Sequence, residues 1–371
     1  MKYDSFPYGH AAMDDWPSAL AAALRTIPED FPATLGFLYV SDGFEEDLPA
    51  ILAALKERFA GVTWVGSVGI GICATSVEYL DQKALALMLT DLAPEDFQVF
   101  HGMAPYATGG WKLADGSAPF LAVVHGDPHS SDLTAQVADL ASRTSSGFLV
   151  GGVSSSRANG AQIAGEIVHG GLSGVMLSER VAVVTRLTQG CSPIGPVHRV
   201  QEAQRNIIVT LDRHPALEVL YSEVGEILAR DIRRAAGFIF AALPVSGDDR
   251  GDYLVRNLVG VDQEHGLVAI GELVEPGQEL MFCKRDAETA RNDLARMLAD
   301  IDALRAGRRI RGALYFSCLG RGESLFGLDS AELRQIAARL GPVPLVGFFA
   351  NGEISRDRIY GYTGVLTLFL H

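Results

Sequence analysis

Long apolar runs are missing from this chain of 371 residues. The longest, such as 237–245, stop far short of the ~18 residues that a membrane-spanning helix needs. Positive charge is also scarce: 31 Lys and Arg stand against 45 Asp and Glu, a formal net charge of −14. Nucleic acid calls for a basic stripe that displaces counterions, and an anionic membrane repels an acidic surface, so neither partner is expected. The densest basic spots, Arg233 with Arg234 and Arg308, Arg309 and Arg311, read as solvated helix and loop ends. The four cysteines, Cys73, Cys191, Cys283 and Cys318, form no C-x-x-C pair, which argues against a zinc knuckle. Met1-Lys-Tyr-Asp4 starts no basic-then-apolar leader, so free thiols and a cytoplasmic location are expected. The histidines show no H-E-x-x-H spacing, and there is no Walker A loop. Neither a metal nor a cofactor is expected.

What is present is ordinary globular material, 48% apolar and 20% charged, enough for two to three packed cores. The 40 glycines gather in short loops, where tight turns or close approach of backbone need them. A unit recurs three times. The first copy has a strand over 36–40, a helix over 48–59, a strand over 62–65 ending in Gly66-Ser-Val-Gly-Ile-Gly71, and a strand over 84–89. The last has a strand over 312–316, a helix over 330–340, a strand over 343–346, the loop 347–353 and a strand over 364–369. The middle copy runs from 120–124 through a helix near 133–140 to strands at 148–150 and 174–177. The fold class is therefore α/β (mixed α+β): repeated strand-helix-strand-strand units forming mixed sheets flanked by helices, in two domains.

Helical spacing supports these units. Leu48, Ile51, Leu52, Leu55 and Phe59 share a face, with Asp47 read as the N-cap and Gly61 past the end. Leu333, Ile336, Ala337 and Leu340 repeat that face, and Asp329 with Glu332 reads as a capping box. Further helices are expected from Pro215 through Leu228 and from Asp286 to Gly307, with strands over 253–261 and 267–274 between them. A small Ala-rich helix precedes Phe31. The expected division is a helical extension at 1–30, one domain over 31–212 and a second over 213–371, with the boundary near Asp212.

Two strand-end loops of the last copy carry ligand-type chemistry. In 347–353 the glycines let backbone N–H groups face a ligand, Asn351 adds amide chemistry, and Glu353 suits an ammonium group. In Ser317-Cys-Leu-Gly-Arg-Gly322, Arg321 suits a carboxylate held through two hydrogen bonds. Adjacent strands would open both loops at one sheet edge, into a polar, water-accessible hollow. The plainer readings are a tight turn for the glycines and an Arg paired with a surface acid. Gln189-Gly-Cys-Ser-Pro-Ile-Gly195 reads as a pocket wall or a hinge. Cys318 has no adjacent His to activate it as a nucleophile, and His198 is the candidate axial haem ligand beside its plainer reading as a surface or structural histidine.

Three stretches resemble the FIST family, built from a FIST N domain followed by a FIST C domain. They are Thr188-Gln-Gly-Cys-Ser-Pro-Ile-Gly-Pro196; Asp252-Tyr-Leu-Val-Arg-Asn-Leu-Val-Gly-Val261; and Phe316-Ser-Cys-Leu-Gly-Arg-Gly322 with Gly347-Phe-Phe-Ala-Asn-Gly-Glu-Ile354 and Gly361-Tyr-Thr363. The match covers nearly all the chain after residue 30. Gly66-Ser-Val-Gly departs from the family's usual polar Gly-Glu, and Tyr360 stands where a His is common. The resemblance implies an intracellular sensory, signal-transducing protein, not an enzyme. It would bind a small, amino-acid-like ligand and act through a separate signalling partner. The alternatives it leaves are a haem-containing nitric-oxide sensor and a ligand-free interaction scaffold. The ligand contacts implied are Ser317, Cys318, Arg321, Gly322, Phe349, Asn351, Gly352, Glu353 and Tyr362, with Gln189 and Cys191.

Overall fold

The computed structural model describes residues 3–102, 112–225, 237–245 and 252–371. Leu228, Arg233 and Arg234 lie outside them. The chain divides into two compact units, one of residues 1–189 with 291–371 and one of residues 190–290. The boundary near Asp212 falls inside the second unit, and the last copy of the repeat belongs to the same unit as the first two.

The first unit opens with β1 (Tyr8–Ala12) and α1 (Trp16–Leu24), the expected Ala-rich helix, whose N-cap Asp15 accepts from the Ser18 N–H at 2.8 Å. The first copy follows as β2 (Leu35–Ser41), α2 (Leu48–Arg58), β3 (Thr63–Gly69), a hairpin of β4 (Gly71–Ala74) and β5 (Val77–Leu80), and β6 (Ala84–Thr90). After β7 (Phe97–His101) the second copy repeats this order: β8 (Leu121–Gly126), α3 (Leu133–Ser142), β9 (Phe148–Val153), hairpin β10 (Gln162–Ala164) and β11 (Glu166–Val168), and β12 (Leu172–Leu177). β13 (Val183–Gln189) then leads into the second unit. Helix α5 (Ala287–Arg305) leads out of that unit to the third copy: β22 (Ile310–Cys318), α6 (Glu323–Phe326), α7 (Ala331–Leu340), β23 (Leu345–Ala350), hairpin β24 (Glu353–Ser355) and β25 (Arg358–Tyr360), and β26 (Thr363–Leu370).

Each repeat is thus strand, helix, parallel strand, hairpin, strand. The sequence pattern missed the hairpins because strands of three or four residues carry almost no periodicity. Those hairpins tie the unit together, since none of them joins its own copy's sheet. β4 pairs with β23, β10 with β3, and β24 with β9, a cyclic exchange among the three copies. The three six-stranded sheets therefore share one order: an outer strand, the last, first and second strands of a copy, then the neighbour's hairpin.

The glycines of the second strands follow from this packing. A Cβ on Gly66, Gly151 or Gly347 would lie 1.7, 1.8 or 1.8 Å from the carbonyl oxygen of Leu38, Val124 or Tyr315 on the parallel neighbour. These glycines exist because backbone meets backbone. Gly347 therefore lies within β23, and the expected loop 347–353 shrinks to a turn at Asn351 and Gly352. One residue beyond each of those carbonyls stand Tyr39, His125 and Phe316. Their rings meet pairwise at centroid distances of 5.6, 6.0 and 6.2 Å, and Phe348 packs beside them. The three copies thus converge on one buried aromatic centre, in which the Tyr39 hydroxyl lies 3.2 Å from His125 Nε2.

Two expected caps are not formed. Asp47 has helical backbone angles and makes no capping bond, because the six-residue 3-10 turn Asp42–Asp47 already feeds α2. The capping box of Asp329 and Glu332 is also absent: Ser330 occupies the N-cap, and Glu332 turns into the core. Asp286 does cap α5, accepting from the Thr289 N–H at 2.8 Å.

The second unit is an antiparallel sheet. It comprises β14 (Cys191–Pro193), β15 (His198–Gln204), β16 (Ile207–Leu211), β17 (His214–Pro215), β18 (Ile239–Pro244), β19 (Tyr253–Asp262), β20 (Leu267–Ile270) and β21 (Glu279–Arg285). Helix α4 (Ala216–Val224) buries Leu217 and Leu220 in a core with Val200, Leu211, Val268 and Phe282. The expected strand pair over 253–274 is present as β19 and β20.

Candidate functional site

The most concentrated chemistry lies in the first unit, at the C-terminal end of β22. That strand delivers Tyr315, Ser317 and Cys318, and the turn after it carries Arg321 and Gly322. The first turn of α7 adds Glu332, the exchanged hairpin of the first copy adds Glu78, and β24 adds Glu353. Arg321 is 1% exposed and Glu332 and Glu353 are fully buried, so charge here must be answered internally.

Glu332 is answered completely. Its Oε1 accepts from the Tyr315 hydroxyl at 2.6 Å and Arg321 Nε at 2.8 Å, with Arg321 Nη2 at 2.6 Å. Its Oε2 accepts from Ser317 Oγ at 3.0 Å and the Gly322 N–H at 3.3 Å. The Phe326 ring lies 4.9 Å from the Arg321 guanidinium carbon. Arg321 was expected to hold a ligand carboxylate through two bonds; that edge is filled by Glu332. Nη1 remains, with no partner among the described residues.

Two other carboxyls are only half answered. Glu353 Oε2 accepts from the Thr363 N–H and Oγ1 at 3.1 and 2.7 Å, whereas Oε1 has no hydrogen-bond partner among the described residues. Burial pushes its pKa up to about 8 against the bonds from Thr363 and the charge of Arg321, so it is mostly protonated at neutral pH. Glu78 Oε1 accepts from the Leu333 N–H at 3.4 Å, and Oε2 has no hydrogen-bond partner among the described residues. Burial and then the Glu332 charge raise Glu78 to about 7. A Cβ on Gly322 would lie 3.2 Å from Glu78 Oε2, which places that oxygen against the same turn. Gln189 joins the edge of this group because it pairs with Thr363 across β13 and β26, and its Oε1 is also buried with no hydrogen-bond partner among the described residues.

The expected site residues divide accordingly. Ser317, Cys318, Arg321, Gly322 and Glu353 are brought together, with Gln189 beside Thr363. Phe349 is fully buried and offers only its carbonyl, to Ser155. Asn351 is exposed, and its N–H bonds the Val153 carbonyl at 3.0 Å. Gly352 is at φ 133°, and a Cβ there would lie 2.8 Å from Ile359 Cγ2; it is required by the turn. The Tyr362 ring closes over Gly320, where a Cβ would meet it at 2.9 Å. Cys191 lies in the second unit, its buried free thiol beside that of Cys283. The hollow expected between Arg321 and Glu353 is not open to water, because both side chains are sealed in. Burial and the Glu353 charge push the Cys318 thiol up, away from the thiolate a nucleophile needs.

Sequence reasoning missed Tyr315, Glu332 and Glu78. Glu332 gave a signal, a lone acid ahead of the apolar face Leu333 and Ile336, but it read as a cap. Glu78 could not be found without knowing which copy receives the first hairpin.

The covering segment has its own character. α6 sits between Gly322 at φ 55° and Gly327 at φ 98°, followed by Asp329 and Ser330, also at positive φ. Arg291 Nη2 holds the Phe326 carbonyl at 2.8 Å. In the second unit, His198 has both ring nitrogens engaged, Nδ1 with Asp212 Oδ2 and Nε2 with Glu223 Oε1, each at 2.6 Å. Burial lowers its pKa, but the two carboxylates outweigh that and raise it. A doubly held imidazolium has no lone pair for iron, so the residues around His198 do not fit an axial haem ligand. Gly195 in the same stretch leaves room for Glu223: a Cβ would sit 2.1 Å from that carboxylate.

Among the described residues no helix is long and apolar enough to cross a membrane. The chain is 31% identical over 378 residues, 95% of each chain, to an "Uncharacterized protein Rv0628c" of Mycobacterium tuberculosis. It is 31% identical over 341 residues, 86% of each chain, to an "Uncharacterized protein Mb0898c" of Mycobacterium bovis. A FIST N domain model matches residues 34–214 and a FIST C domain model matches residues 216–356. These matches, spanning most of the chain with one following directly on the other, show that it belongs to the FIST family, whose domains are associated with sensory signal transduction.

Proposed function

We propose that this protein is a sensory regulator that takes a small amino-acid-like ligand into the polar cluster around Arg321, Glu353 and Glu78, and acts through a separate partner. One observation carries the reading. Arg321 Nη1, Glu353 Oε1 and Glu78 Oε2 belong to one buried cluster and have no partner among the described residues. Leaving a buried polar atom unanswered costs about 1–3 kcal/mol each, a cost that a ligand with matching groups removes. A ligand carboxylate suits Nη1 through a single bond. An ammonium group suits Glu353, which gives up its proton on pairing. Entry requires the α6 segment to lift, and the positive-φ residues on either side of it are where the backbone would turn.

A thermal-shift screen of amino acids against the intact protein tests this. A stabilising compound should lose its effect in Glu353→Gln, which keeps the shape of the side chain and removes its ability to ionise. An unchanged shift in a folded Glu353→Gln protein, or no stabilising compound at all, refutes the site.

A further inference from the structure

The first unit carries a second feature that the ligand reading does not use. A cavity of about 330 Å³ runs beside β13, walled by Phe120 and Phe148 on one side and by Leu304 and Arg308 on the other. Leu304 is 43% exposed, large for an apolar side chain. Among the described residues no Asp or Glu lines this cavity, although the chain as a whole has a net charge of −14. Its charged lining is Arg186 and Arg308, and Arg356 lies 5.5 Å from the Phe148 ring. The Arg308 side chain touches only the Arg305 carbonyl, at 3.3 Å, among the described residues.

β13 is the outermost strand of its sheet. The Leu370 N–H bonds the Ala182 carbonyl, so the even-numbered residues of β13 turn their backbone groups toward β26 and the odd-numbered ones turn theirs outward. Two outward groups confirm the phase. The Gln189 N–H is taken by Asp293 at 2.6 Å, and the Thr185 carbonyl is taken by Arg186 Nη1 at 2.7 Å. The outward N–H groups of Val183, Thr185 and Leu187 face no strand of the described residues. The first sheet treats its outer strand differently. α1 lies directly on β1, where a Cβ on Gly9 would meet the Ala23 carbonyl at 1.9 Å. Gly9 pairs with Leu87 and Arg186 pairs with Leu366, equivalent places in the two sheets, so a bulky cation stands where a covering helix would need a glycine.

We propose that this edge receives an extended acidic segment of a partner protein, about five residues long, added as a seventh strand against 183–187. Backbone bonds to the outward groups of Val183, Thr185 and Leu187 hold its register. The incoming N–H replaces Arg186 at the Thr185 carbonyl, and a carboxylate of the segment lies beside that guanidinium. Arg308 receives a second carboxylate, and apolar residues between the acids fill the space between Phe120, Phe148 and Leu304. Charge complementarity selects this occupant over a basic segment and over a helix.

The probe is a blocked, fluorescein-labelled six-residue peptide alternating Glu and Val, with its Lys–Val counterpart as control, read by fluorescence polarisation on the full chain. The acidic peptide should bind and weaken as salt rises, while the basic one should not bind. Arg308→Glu, a change at an exposed site, should weaken binding about tenfold or more, as expected for a lost and reversed charge pair at an interface. Thr185→Pro removes an outward N–H and leaves the ladder to β26 intact, so it should fold with unchanged circular dichroism and abolish binding. Equal binding of both peptides, or undiminished binding to folded Thr185→Pro, overturns the proposal. So does concentration-dependent self-association that Thr185→Pro removes, since that would make a second copy the occupant.

Discussion

Replacing Glu353 by Gln should change how the stability of this protein depends on pH. The side chain is fully buried, its Oε2 is held by Thr363, and its pKa stands at about 8 instead of the ordinary 4.5. Below pH 4.5 the carboxyl is protonated in folded and unfolded chains alike and has no effect. Between 4.5 and 8 the unfolded chain releases the proton and the folded chain retains it, so stability falls as pH rises and levels off above 8. At about 1.4 kcal/mol per pH unit of that gap, the full loss approaches about 5 kcal/mol, most of which accrues between pH 5 and pH 8. Gln preserves the shape and the acceptor for Thr363 and cannot ionise. Urea midpoints for the two proteins at pH 5, 6, 7 and 8, with a constant m-value, give the difference directly. The variant should gain steadily on the wild type across that range. Parallel curves would show that Glu353 is solvated or ionised when folded, and would remove the electrostatic basis of the ligand site as well.

Other perturbations have equally definite outcomes. Glu332→Gln leaves Arg321 as an uncompensated buried charge and should cost about 3–5 kcal/mol in urea unfolding, with part of the loss recovered in a double variant carrying Arg321→Met. Gly347→Ala sets a Cβ 1.8 Å from the Tyr315 carbonyl, backbone that cannot step aside, so β22 and β23 must separate; soluble expression and thermal melting should both collapse. His198 has a raised pKa, so its pairing with Glu223 and Asp212 stabilises fully below pH 6.5 and is lost as pH rises through the higher folded value. His198→Asn should therefore destabilise at pH 6 and matter less at pH 9, and equal effects at the two pH values would contradict the pairing.

Much of the local structure was legible because it rests on periodicity. The face of Leu48, Ile51, Leu52 and Leu55 is the buried face of α2, and the Asp286 cap was visible from one side chain and its neighbours. Ser317, Arg321 and Glu353 were also recognisable, as polar residues at the ends of apolar strands. What they touch was not. Glu332 looks the same in sequence whether it caps its own helix or neutralises Arg321, and burial decided between the two. In sequence Glu353 reads as a solvent-facing loop carboxylate because Gly347 reads as loop glycine; in the folded chain that glycine is a strand residue pressed on a neighbouring carbonyl.

The sequence by itself determined the threefold repetition of strand, helix and strand, the positions of the glycines, and the family to which the chain belongs, since each depends on residue type and spacing along the chain. Only the tertiary structure decided that each hairpin crosses to another copy's sheet, and that residues 190–290 form a unit of their own between the second and third copies. A strand of three or four residues holds too little side-chain pattern to name its partner. That choice is made by which sheet edge is open when the three copies close around Tyr39, His125 and Phe316.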